Sequence, residues 1–115
     1  MPPRDWTFRI EDILESIGRI EEYVAEMSFE TFVADRKTVD AVVRNITIIG
    51  EAARHISPEL RKKHPQIPWD DVREIRNVVV HEYFGIDHSI LWQTVTQNLP
   101  TLKVLLKAVL KREPH

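Results

Sequence analysis

An all-α fold is predicted by three observations: an antiparallel helical bundle of four main helices plus a short one. Apolar residues recur at spacings of three and four over most of the chain, the pattern of helices with one buried face. Strand-like alternation is scarce, and only 3 glycines occur in 115 residues. The periodic stretches are separated by short connections with helix start and stop signals, and helices joined that way pack antiparallel.

Each element follows in order. Asp5 is placed to cap a first helix whose stripe is Ile10, Ile13, Leu14, Ile17, Ile20, Val24 and Met27, with Glu11, Asp12, Glu15, Arg19 and Glu22 mostly opposite. That helix is expected to run to about Met27. Ser28 caps a short turn bearing Phe29 and Phe32, and Ala34-Asp35-Arg36-Lys37 is a polar break or the start of the next helix. From about Lys37 to Ile56 the stripe returns in Val39, Val42, Val43, Ile46, Ile49, Ala53 and Ile56, widened by Ile48 and Ala52. The small residues of Gly50-Glu51-Ala52-Ala53 allow another helix to approach closely, so tight packing within the bundle is expected there.

Ser57-Pro58 is a helix start, serine at the N-cap and proline at the first helical position, and opens a short helix to Lys63. Pro65-Gln66-Ile67-Pro68 is a rigid connector, because the residue before each proline is held away from helical geometry. Trp69-Asp70-Asp71 opens the next helix, its acidic first turn matched to the helix dipole. Gly85 ends it, and Asp87 or Ser89 caps the last helix, whose face is Ile90, Leu91, Val95, Leu99, Leu102, Leu106, Val109 and Leu110. Pro100 falls inside that pattern. It either kinks one helix or starts a second after Asn98-Leu99, and the kink is the favoured reading.

Length and composition set the class. The chain reads as a single helical domain over residues 1–115, with 43% hydrophobic and 30% charged residues. No run of about 18 apolar residues suggests a membrane span. Met1-Pro2-Pro3-Arg4-Asp5-Trp6 lacks the apolar core of a signal peptide, which makes the cytoplasm the expected location. There is no cysteine, so any metal site would use histidine and carboxylates. A net charge of -2 gives no overall attraction to nucleic acid, so such a partner would need a local basic patch or an assembly that concentrates charge.

The chemistry concentrates in Ile75-Arg76-Asn77-Val78-Val79-Val80-His81-Glu82-Tyr83-Phe84-Gly85, where polar groups are threaded through three valines. Polar groups set that close to a core need partners or a task. At about 100° per residue, Arg76 and Tyr83 share a face, Asn77 and His81 share a neighbouring one, and Arg76 and His81 lie roughly 140° apart. The last two could meet if the helix loosened near His81, or if two copies faced each other across a two-fold axis. The residue types suit phosphodiester chemistry. A histidine can take a proton from a ribose 2′-hydroxyl or give one to the leaving oxygen. An arginine can grip the phosphate by two bonds and offset its developing charge. The bland alternative is a surface arginine, a satisfied histidine and a tyrosine packed at an edge.

The run Arg76-Asn77-Val78-Val79-Val80-His81-Glu82-Tyr83 resembles the Arg-x4-His-x-Tyr signature of HEPN-domain toxins of the HepT type. The likeness extends to Arg44-Asn45-Ile46-Thr47-Ile48-Ile49-Gly50-Glu51-Ala52-Ala53, to Ile67-Pro68-Trp69, to Phe84-Gly85-Ile86-Asp87 and to Trp92-Gln93-Thr94-Val95, and covers roughly residues 8 to 110. Glu74-Ile75 departs from it, where Gly-Met is expected. The resemblance implies a HEPN-like bundle that forms a homodimer. It implies a metal-independent ribonuclease without cofactors, with Arg76 and His81 catalytic, Asn77 supporting and RNA as substrate. It also implies a partner, a minimal nucleotidyltransferase antitoxin of the MntA type, which transfers AMP units from ATP to Tyr83.

Two rival functions use overlapping residues. One is a non-catalytic nucleotide-binding or substrate subunit of a minimal nucleotidyltransferase. The other is a metal site from His81, Glu82, Asp87 and His88, against which stand the break expected at Gly85 and the lack of a helical His-x3-His pair. Arg61-Lys62-Lys63-His64 and the stripe of Lys103, Lys107 and Lys111 could guide RNA, although a solvated face accounts for both. Trp69 and Trp92 are expected in the core.

Overall fold

The computed structural model of the chain describes residues 4–82 and 87–112, and side chains at all of these except 4–7 and 78–82. Every regular element among the described residues is a helix: α1 (Arg4–Val24), α2 (Phe29–Ala34), α3 (Arg36–Arg54), α4 (Pro58–Lys63), α5 (Trp69–Glu82), α6 (His88–Gln93) and α7 (Leu99–Arg112). Helix α1 packs on α3 and α7, and α3 packs in turn on α5, so α3 lies centrally. The all-α bundle is as expected, but with three six-residue helices, α2, α4 and α6, among the described residues where one short helix was anticipated.

The α1 stripe is deeply buried. Ile10, Ile13, Ile17 and Ile20 are all at 0–1% exposure, and each such side chain contributes about 1.5–3 kcal/mol of transfer free energy. Val42, Ile46 and Ile49 of α3 and Leu102, Leu106 and Val109 of α7 complete this core. Across it, Lys103 Nζ meets Glu21 Oε1 at 2.9 Å and ties α7 to α1, so this lysine belongs to the bundle as much as to its cationic stripe. Asn45 is buried in α3. Its Nδ2 donates to the Ala41 carbonyl at 2.9 Å, while its Oδ1 has no partner among the described residues.

Helix boundaries show where local signals were sufficient. Ser28 forms a reciprocal capping box with Thr31, and Ser57 accepts from Leu60 N–H with Pro58 in the first turn. Asp87, not Ser89, caps α6, accepting from Ser89 and Ile90 N–H. Two limits of α1 differ from expectation. The helix begins at Arg4, so Asp5 lies in its first turn and not at the cap. Proline turns the residue before it away from helical geometry but not the residue after it, and Arg4 follows one. At the other end α1 stops at Val24, because Glu26 takes a left-handed φ of 64°, which a right-handed helix cannot continue. With no glycine there, the sequence held no visible stop; Met27 still packs against the core.

Asp35 closes α2 with its backbone N–H and opens α3 with its side chain, which accepts from Thr38 N–H at 3.2 Å. That bond from the Thr38 backbone, with a second from the Thr38 side chain, lowers the Asp35 pKa from 3.8. A depressed carboxylate stabilises the fold above its unfolded value and loses that contribution as pH falls through the folded one. Asp35→Ala is therefore expected to lower Tm at neutral pH, with the deficit shrinking on acidification below pH 3.8; thermal melts across that range check it.

Pro100 is accommodated without a break. Between α6 and α7, residues Thr94–Asn98 form a wide π-type turn in which Leu99 N–H donates to the Thr94 carbonyl, and Leu99 has helical angles (φ −66°, ψ −41°). A proline ring crowds the carbonyl four residues back and supplies no N–H, so widening the preceding turn relieves both conflicts. Thr94 and Thr96 also donate to the carbonyls of Ile90 and Trp92, a contact that bends helices. Trp92 packs on Phe29 and Phe32, with ring centroids at 6.4 and 5.0 Å, and so fastens α2 to α6. No helix among the described residues is long and apolar enough to cross a membrane.

Candidate active site

Helix α5 is anchored at its start. Trp69 is buried, and its Nε1 donates to the His64 carbonyl at 2.9 Å across the Pro65–Pro68 connector. Val72, three residues on, is buried too, and both lie on the face that meets the core. Arg76 follows Trp69 by seven residues and Val72 by four, so the helical period puts it on that same inward face. A guanidinium there needs room for its stem and a partner for its charge.

Gly50 of α3 supplies the room. A Cβ built at Gly50 would lie 3.2 Å from Arg76 Cβ, 3.4 Å from its Cγ and 3.5 Å from the Arg73 carbonyl oxygen. The close approach expected from Gly50-Glu51-Ala52-Ala53 is thus real, and the side chain lying against it is Arg76. Gly50→Val is expected to force α5 away, costing about 1–3 kcal/mol by overpacking, and to displace Arg76. A denaturant midpoint unchanged from wild type would contradict that packing.

Glu51, the next residue, supplies the partner. Arg76 Nη1 meets Glu51 Oε1 at 2.6 Å, linking α5 to α3 across 25 positions of sequence. The two side chains are 40% and 43% exposed, so the pair adds little stability, no more than about 1 kcal/mol. Its effect is geometric: one of five guanidinium N–H donors is fixed, and among the described residues the others are left for a ligand. Arg54, on the same helix as Glu51, brings Nη1 to 3.4 Å from both carboxylate oxygens. Neither Glu51 nor Arg54 was singled out from the sequence as a site residue, although the small-residue block around Glu51 marked the region.

The other predicted positions are placed as follows. Asn77 is exposed beside Arg76. His81 lies within α5, but its side chain is outside the described residues, and Tyr83 is outside them altogether. Helix α5 runs through Glu82 as regular α-helix. Positions 76 and 81 therefore keep their separation of roughly 140°, and local loosening before His81 does not bring them together. Of the rival metal set, Asp87 caps α6 and His88 begins it, while the His81 and Glu82 side chains are not described. Among the described residues no three His, Asp or Glu side chains cluster as metal ligands would. Arg61, Lys62 and Lys63 occupy the last turn of α4, where cations suit the helix dipole, and His64 is buried behind them.

Comparison with known proteins is consistent along the chain. Residues 13–109 match the family model described as ribonuclease HepT-like. A protein of Thermococcus cleftensis named probable ribonuclease HepT is 45% identical over 82% of this chain and 86% of its own length. A protein of Caldanaerobacter subterraneus subsp. tengcongensis, provisionally named an RNase, is 38% identical over 90% of this chain and 93% of its own. Another of the same provisional name from Methanocaldococcus jannaschii is 37% identical over 90% and 94%. No solved structure matches the chain.

Proposed function

The chain belongs to the HepT-like ribonuclease family, and from that membership we propose that it is the toxin of a toxin–antitoxin pair, a metal-independent endoribonuclease acting in the cytoplasm. The observation that carries this reading is Arg76. An arginine on the inward face of α5, seated over Gly50 and held by Glu51 at 2.6 Å, keeps most of its donors for a phosphate. It opens the Arg-x4-His-x-Tyr run in which His81 and Tyr83 follow.

The chemistry needs a base, an acid and a cation. His81 takes the proton of a ribose 2′-hydroxyl; the 2′-oxygen bonds to phosphorus; the bond from phosphorus to the 5′-oxygen breaks. A second histidine returns a proton to that leaving oxygen. Arg76 neutralises the charge gathering on the phosphoryl oxygens, and Asn77 orients His81 or contacts the phosphate. No step requires a metal. Because positions 76 and 81 diverge on an unbroken helix, one chain does not bring both to one atom, and a homodimer in which one copy's Arg76 complements the other's His81 does. The second copy then supplies the second histidine.

Control falls to Tyr83. A minimal nucleotidyltransferase of the MntA type transfers AMP units from ATP to its hydroxyl. Each unit adds a negative phosphate where RNA phosphates must sit and fills the cleft. Tyr83→Phe is expected to cleave RNA as wild type does, while gaining no mass and losing no activity after treatment with the partner and ATP. A mass gain on that variant would reveal another acceptor.

The deciding experiment is RNA cleavage by purified protein in EDTA, with intact mass confirming an unmodified Tyr83. Cleavage supports the ribonuclease. Failure to cut any of several messenger and transfer RNAs overturns it in favour of a non-catalytic subunit that presents Tyr83 or binds nucleotide for the transferase.

A further inference from the structure

Two cations meet at Glu51. Arg76 reaches Oε1 from α5 at 2.6 Å, and Arg54 reaches Oε1 and Oε2 from α3 at 3.4 Å each. The shared oxygen draws two guanidiniums from two helices to one place, separated by no more than those two contacts end to end. One carboxylate cannot balance both, so among the described residues the group keeps an excess positive charge. The nearby Arg73 does not join it, being paired with Asp70 at 3.2 Å.

The two arginines are held differently. The Arg76 contact is short, and its stem is wedged over Gly50. The Arg54 side chain is 53% exposed, and its contact is long and within one helix turn. A pair of that kind is nearly neutral in free energy, so Arg54 can exchange carboxylate for phosphate at little cost. A carboxylate beside a phosphate site also repels the ligand, so the value of Glu51 lies in orientation and not in affinity.

We propose that Arg54 is a second phosphate-binding residue of the ribonuclease site, and that Glu51 is a positioning residue holding Arg54 and Arg76 together for an RNA strand. The inference rests on the ribonuclease reading above. Arg76 serves the phosphate that is cleaved; Arg54 serves a neighbouring phosphate of the same strand. The two residues thus differ in kinetic signature. Arg54 acts on ground-state binding and appears in KM, whereas Glu51 acts on the placement of Arg76 and appears in kcat.

The test uses Arg54→Ala, Arg54→Lys and Glu51→Gln in the full chain, with steady-state cleavage of a mixed-sequence single-stranded RNA. Binding of the same RNA is followed against salt in a His81→Ala background that does not cut. Arg54→Ala is expected to raise KM and Kd roughly tenfold or more, the scale of one lost charged hydrogen bond, and Arg54→Lys to recover most of it. Loss of one phosphate contact makes the plot of log affinity against log salt shallower by about 0.7 for a single strand. Glu51→Gln is expected to lower kcat about tenfold or more without raising KM and without lowering Tm; a smaller folded fraction would also lower apparent kcat at constant KM, so the assay is run well below the melting transition of the variant. An active wild type alongside an Arg54→Ala variant with unchanged KM, Kd and salt slope overturns the Arg54 assignment. Unchanged kcat in Glu51→Gln overturns the positioning role. A wild type that cuts no RNA removes the ribonuclease reading itself, a different failure from either.

Discussion

His81→Ala is expected to abolish RNA cleavage, a loss on the order of 10²–10⁴-fold or beyond, with little change in Tm. General acid–base catalysis by a positioned side chain accounts for about that factor. In a dimer with paired sites the variant loses both the base that takes the 2′-hydroxyl proton and the acid that protonates the leaving oxygen. Alanine is the strongest helix former, so α5, which runs through Glu82, is not weakened by the change. Cleavage assays beside thermal melts separate chemistry from folding. Wild-type activity in the variant would remove His81 from the mechanism, whatever the family resemblance implies.

Arg76→Ala is expected to cost about 10²–10³-fold in kcat, the scale seen when a donor to a developing charge is removed. Arg76→Lys should recover little of it, because an ammonium cannot reproduce the planar fork that holds Glu51 with one N–H and a phosphate with others. The Glu51 contact adds a sharper expectation. Removing Arg76 leaves that carboxylate facing the phosphate, opposed among the described residues only by the long contact from Arg54. The double variant Arg76→Ala/Glu51→Gln should therefore cleave better than Arg76→Ala alone. Coupling of this sign is measured from kcat/KM of the four proteins in a double-mutant cycle. A double variant slowed by the product of the two single effects would show that the pair plays no part in the site. Stability is a poor reporter here, since both side chains are about 40% exposed (40% and 43%) and such a pair contributes no more than about 1 kcal/mol.

Much of the architecture was legible because its causes are local. Ser28, Ser57 and Asp87 cap helices by bonds to backbone groups two or three residues away, and the isoleucine stripe of α1 reports its buried face through spacing alone. Two features escaped that logic. Glu26 ends α1 by adopting a left-handed backbone that no residue type there announces. Pro100 was readable as a conflict, but its relief by a π-type turn over Thr94–Asn98, and not by a kink or a break, is seen only in the folded chain.

The candidate site divides along the same line. By itself the sequence determined the helical class, the position of Arg76, Asn77, His81 and Tyr83 along one stretch and, through resemblance, a family and its chemistry. Only the tertiary structure decided what Arg76 does with its charge. Its partner lies 25 residues away on another helix, and the two meet because Gly50 has no side chain to hold α5 off α3. Helical periodicity relates residues within a turn or two of each other, whereas an ion pair between helices depends on how closely their axes approach.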